Sequence, residues 1–131
     1  MKILQSSLKI IIASVALIAL SGAAQAEFCR KYQQTQSNAG HCNNCFITIK
    51  SDPSHQIYSA TSNNGWYAEM NWVEGDSSVA FGGGHWLNGP KDEKFEIDME
   101  QQGPTLRMTM QMYKNQKRGH VIRAQFRCVQ R

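Results

Sequence analysis

The stretch that decides the fold is KFEIDMEQ, residues 94–101, followed after a Gly-Pro break by TLRMTMQMY, residues 105–113. In the first, Phe95, Ile97 and Met99 alternate with Lys94, Glu96, Asp98 and Glu100. In the second, Leu106, Met108, Met110 and Met112 alternate with Arg107, Thr109, Gln111 and Tyr113. Successive side chains of an extended strand point to opposite faces, so a strict period of two describes strands with one face buried and one face wet. The Gly103-Pro104 break makes the two segments neighbours in an antiparallel sheet.

The same period continues outward. HVIRAQFRCV, residues 120–129, puts Ile122, Ala124, Phe126 and Cys128 inward and Arg123, Gln125 and Arg127 outward. WYAEMNWV, residues 66–73, sets Trp66, Ala68, Met70 and Trp72 against Tyr67, Glu69, Asn71 and Val73. Turn residues separate the runs: Asn64-Gly65, Glu74-Gly75-Asp76, Gly82-Gly83-Gly84, Asn88-Gly89-Pro90 and a basic turn over 114–119. Asn-Gly is a strong tight-hairpin signal. No helical period stands out after residue 26. The expectation is an all-β, disulfide-stapled domain of about 7–8 antiparallel strands in a meander, closed as a barrel or packed as a sandwich.

The N-terminus sets the compartment. Lys2 and Lys9 precede the apolar run IIIASVALIAL, residues 10–20, and Ala24-Gln25-Ala26 supplies small residues for cleavage. That is the pattern of a secretory signal peptide over 1–26, leaving one β domain over 27–131. The apolar run is shorter than the roughly 20 residues of a membrane span. All four cysteines, Cys29, Cys42, Cys45 and Cys128, fall after the leader. An even count in a small exported domain reads as two disulfides.

HCNNC, residues 41–45, also raises half a zinc site or a redox dithiol. No second ligand pair stands at zinc spacing, and the motif runs into strand-like FITIK rather than the helix that activates a redox thiol. Neither metal nor cofactor is therefore expected. Side-chain parity puts Cys45 and Cys128 on inward faces and favours Cys45–Cys128 with Cys29–Cys42.

Without Lys2 and Lys9, the 14 basic residues fall to 12 against 10 acidic ones. A net +2 gives no argument for a nucleic-acid partner. The charges are segregated, however. Acids dominate from Glu69 to Glu100, whereas Gly103 to Arg131 holds bases and no acid. Such a polarised surface either pairs charges across strands or steers a charged partner.

Catalytic chemistry is weakly signalled. His41, His55, His85 and His120 permit a two-histidine acid/base mechanism, but no nucleophile elbow or other positioned set is present. FGGGHW, residues 81–86, lacks the lysine and helix of a phosphate cradle. It reads instead as a barrel corner or bulge. The methionines and Trp66, Trp72 and Trp86 allow a ligand cavity, although a methionine stripe on a strand is ordinary core.

Residues 62–81, SNNGWYAEMNWVEGDSSVAF, resemble the bacterial exported inhibitors of c-type lysozyme. Those small barrels carry a Ser-Gly-Tyr strand and an aromatic-Trp-x-x-Gly-Asp turn. Ser62, Gly65, Tyr67, Trp72, Gly75 and Asp76 stand at comparable places. The resemblance implies a small barrel, export and a lysozyme-like partner. That family places a lysine before the Gly-Asp, where this chain has Glu74.

Together these readings predict a periplasmic or secreted, non-enzymatic protein that blocks a peptidoglycan hydrolase, as an inhibitor or an immunity protein. A carrier of a small apolar molecule and a histidine-dependent hydrolase or toxin are the alternatives. Partner contact is expected on loops, through Asn64, Trp66, His85, Trp86, Glu74 and Asp76. Alternate turns of a meander share an end, so the acidic turn falls opposite the tryptophans.

Overall fold

The computed structural model describes residues 28–131, so the expected leader over 1–26 lies outside the described residues. Eight strands follow in order: β1 (Lys31–Ser37), β2 (Phe46–Asp52), β3 (Ile57–Ser62), β4 (Trp66–Val73), β5 (Asp76–Trp86), β6 (Glu93–Gln102), β7 (Thr105–Lys114) and β8 (Lys117–Gln130). Each pairs antiparallel with the next, and β8 returns to β1 to close a barrel. Eight strands enclose a space that side chains can just fill.

The filling follows rows across the register. One inward row reads Ala60, Ala68, Gly84, Phe95, Met112, and the next Tyr58, Met70, Gly82, Ile97, Met110, Ile122. A third reads Trp72, Ala80, Met99, Met108, Ala124. Small residues of β3 to β5 thus face the large side chains of β6 and β7, which gives the wall-to-wall complementarity a dense core requires. The inward positions expected at Phe95, Ile97, Met99, Leu106, Met108, Met110, Ala124 and Phe126 are all buried, while Met112, Ile122 and Cys128, also expected inward, are half-buried against the same core.

Two expectations need correction. The glycine triplet does not break a strand. It lies inside the 11-residue β5, paired with β4 and β6. A Cβ on Gly84 would collide with the Tyr67 carbonyl oxygen and stand 2.5 Å from Phe95 Cζ. The cysteine pairing is also different. The bridges are Cys29–Cys128 and Cys42–Cys45. Cys45 stands just before the upper end of β2, whereas Cys128 lies near the lower end of β8, beside Tyr32 of β1. Two disulfides suggest an oxidising compartment, extracellular or periplasmic.

The lower end is sealed by Tyr32, which has no exposed surface. Its hydroxyl accepts the Cys29 N–H at 2.7 Å and donates to Gln101 Oε1. Burial pushes its pKa up to about 12, with the Cys29 hydrogen bond opposing. Gln101, a polar residue at an inward position, is thereby satisfied.

Gly84→Ala is expected to cost at least about 2 kcal/mol in urea unfolding, because both backbone and Phe95 must move. Gly83→Ala points outward and meets only the Phe95 carbonyl at 3.4 Å, so it should stay within about 0.5 kcal/mol. Equal costs at the two positions would refute the packing account. Removing Cys29–Cys128, which spans 99 residues, should cost about 4–5 kcal/mol. Removing Cys42–Cys45, which spans 3, should cost roughly 2 kcal/mol, as read from paired Cys→Ser variants.

Candidate functional site at the barrel mouth

Four connections meet at the upper end: residues 38–45, 63–65, 87–92 and 115–116. The first is the longest and is held by side-chain amides. Asn38 imitates a strand residue beside β8, donating Nδ2 to the Val121 carbonyl at 3.0 Å and accepting the Arg123 N–H at 2.9 Å. Gln34 and Gln33 donate to the carbonyls of Gly40 and Asn43. Asn63 accepts the Phe46 N–H at 2.8 Å and donates to the Asn44 carbonyl, tying the 63–65 turn to the Cys42–Cys45 loop. The Leu87 N–H donates to the Gly65 carbonyl at 2.9 Å, which joins the third loop to the second. Gly65, at φ +96°, occupies the left-handed region that a side chain disfavours.

Inside this ring lies a cavity of about 170 Å³. Its floor includes Met108, Met110, Ile122 and Phe126, and its rim includes His41, Asn64 and Trp86. Trp86 and Trp66 are directly paired across β4 and β5, and both stand edge-on to Phe95, at centroid distances of 6.3 and 5.8 Å. Gly89 folds close over Trp86, whose ring remains half-buried. Leu87, the next residue, is 58% exposed.

The residues expected to meet a partner are distributed unequally. Asn64 and Trp86 stand on the mouth. Trp66 lies beneath it, only 4% exposed, as part of the core. His85 is on the outer wall, 5.9 Å from the Tyr67 ring. Tyr67 donates to Glu69 at 2.7 Å, a bond that raises the tyrosine pKa. Glu74 and Asp76 occupy the β4–β5 turn at the opposite end. There Asp76 accepts the Ser78 N–H at 3.0 Å and the Ser78 hydroxyl, and the hydroxyl bond chiefly holds its pKa low.

Sequence reading did not single out Leu87, since an isolated leucine beside a turn carries no period. It also could not find the cavity floor, which only barrel closure assembles.

The histidines are dispersed. His41 is on the mouth loop, His55 in the β2–β3 turn at the other end, and His85 and His120 on β5 and β8. Asp52, Ser54 and His55 do hydrogen-bond with one another, but Asp52 and Ser54 both meet the same ring nitrogen, Nδ1. A nucleophile–base–orienter relay uses the two nitrogens separately, so this trio is a turn cap. All four cysteines are oxidised, and among the described residues no three His, Cys, Asp or Glu side chains are grouped to hold a metal. Comparison with protein-family models, curated proteins and solved structures finds no match.

The cavity makes a differential prediction. Ala124→Val adds two carbons at the cavity wall and should change stability by less than about 1 kcal/mol. Ala68→Val adds the same two in the filled row facing Phe95 and should cost roughly 1–3 kcal/mol. Chemical denaturation of both variants decides whether the mouth is open or packed.

Proposed function

We propose that this chain is an exported, non-enzymatic binding protein that grips a protein partner with the mouth of its barrel. The observation that carries the reading is the cavity of about 170 Å³ set among cross-bonded loops, with Trp86 and exposed Leu87 beside it. An apolar cavity near 150 Å³ holds a benzene-sized body, so this one suits a single side chain of a partner. Dedicated small-molecule sites run about 300–1,000 Å³, and the remaining interior is filled by side chains. That disfavours the carrier reading. Loops fixed by hydrogen bonds lose little freedom on binding, and this preorganisation favours affinity.

The partner class rests on the resemblance of residues 62–81 to exported lysozyme inhibitors and on the expected leader. Both fit a periplasmic or secreted protein meeting a peptidoglycan hydrolase, which it blocks as an inhibitor or as an immunity protein. Glu74 and Asp76 lie too far round the barrel to share the mouth contact. Their role in this reading is limited to long-range attraction of a basic partner.

Affinity capture from periplasmic extract and titration against purified muralytic enzymes test the proposal. Leu87→Asp should weaken capture at least tenfold with an unchanged melting temperature, because Leu87 supports no core contact of consequence. Glu74→Lys, at the far end, should shift affinity far less. A partner held equally well by wild type and Leu87→Asp, or inhibition abolished by Glu74→Lys alone, would overturn the mouth as the contact surface.

A further inference from the structure

The end opposite the mouth carries a second recess. Strand β1 pairs with β2 over only three positions, Lys31 to Gln33 against Thr48 to Phe46. Below Thr48, the Ile49 N–H still donates to the Arg30 carbonyl at 2.8 Å. Beyond that bond, Lys50 to Asp52 keep β3 on one side and have no register partner in β1 on the other.

A cleft of about 900 Å³ opens along this seam. Phe28, Ile49 and Tyr58, all buried in the core, lie at its floor, and Arg30, Lys31, Lys50 and Arg131 supply its charge. No acidic side chain lines it. Neither ion pair found among the described residues, His55–Asp52 or Lys114–Glu93, involves these bases. Lys31 rests its ammonium 4.4 Å from the centre of the Phe46 ring, a contact it can leave for an anion.

The floor is rigid. Phe28 packs edge-on against Tyr58 at 4.9 Å, and the next residue is fixed by the Cys29–Cys128 bridge and by its hydrogen bond to Tyr32.

From this convergence we infer that the seam binds a phosphate-class oxyanion. Several cations with no acidic side chain among them exceed what one carboxylate neutralises and match a multiply charged phosphate. Arg30 brings the planar fork that phosphate oxygens accept in pairs. The site is at the far end from the mouth and is independent of the protein-binding reading.

The test uses the full exported chain at low ionic strength. Inorganic pyrophosphate is titrated while backbone amide shifts are followed. Saturable shifts confined to residues 28–31, 48–51 and 130–131 are expected. Arg30→Ala and Lys50→Ala should each weaken the affinity about tenfold, the order of one charge-assisted hydrogen bond. Lys114→Ala, at the mouth end, should leave it unchanged. Melting temperatures confirm that these exposed substitutions keep the fold.

Sedimentation with phosphatidylcholine vesicles containing phosphatidylglycerol identifies the source. Binding that is lost in Lys50→Ala places the phosphate on a lipid, with or without pyrophosphate binding. Pyrophosphate binding without vesicle binding places it on a soluble ligand. The inference fails if neither probe binds, if the shifts do not saturate or spread over Arg107 and Arg123, or if both variants bind like wild type.

Discussion

The seating of β1 is the constraint on which the barrel depends. Seven strands of a meander leave two open edges, and only β1, pairing with β8 and β2 together, removes them. Its register is interrupted twice against β8 and is short against β2, so backbone bonding alone holds it weakly. Side chains make up the difference. Tyr32 is wholly buried and joins Cys29 to Gln101 of β6, across the barrel floor. Cys29–Cys128 then bonds the start of β1 to the strand it must meet. Because the bridge encloses nearly the whole described chain, it removes more freedom from the unfolded state than any local link can. Both recesses adjoin this same strand, the mouth where β1 runs into the 38–45 loop and the cationic cleft where its pairing with β2 runs out.

How much of this was legible depends on which coordinate a residue pattern encodes. Alternation gives the face of a strand, and it placed Phe95, Ile97, Met99, Leu106 and Phe126 inward, where they are buried. It does not give height along the barrel. Parity put Cys45 and Cys128 on inward faces, yet one stands at the top of β2 and the other near the foot of β8. No pairing of the two was open to them. Chain order carries the height: Cys29 enters β1 at the foot, where Cys128 ends β8. Trp66 illustrates the same limit. Its parity marked it as inward and its place beside Asn64-Gly65 marked it as loop, and burial shows that parity prevailed.

The glycine triplet failed for another reason. Turn chemistry is local, and three glycines in sequence look like a break. Their cause lies on other strands, in the bulk of Phe95 on one side and the close backbone of β4 on the other. A sequence lists neighbours along the chain, while cross-strand size matching is a property of the closed sheet. The candidate site was half-legible on the same grounds. Trp86 and Asn64 lie beside turns and could be read, whereas the cavity floor draws on β7 and β8, remote in sequence from both.

Packing also bears on the proposed binding role. To carry a sizeable apolar cargo, eight strands must leave their central rows empty, with small side chains facing small ones. Here small residues lead on to large ones in the same row, as with Gly84 beside Phe95 at the end of Ala60-Ala68-Gly84, or Ala80 between Met99 and Trp72. The space that remains is bounded by Trp66 and Trp86, whose rings rest edge-on against Phe95, and by Met108, Met110 and Phe126 of β7 and β8. In the proposed reading, a recess of about 170 Å³ ringed by hydrogen-bonded loops is better matched to a surface that brings its own side chain than to a molecule that must be enclosed.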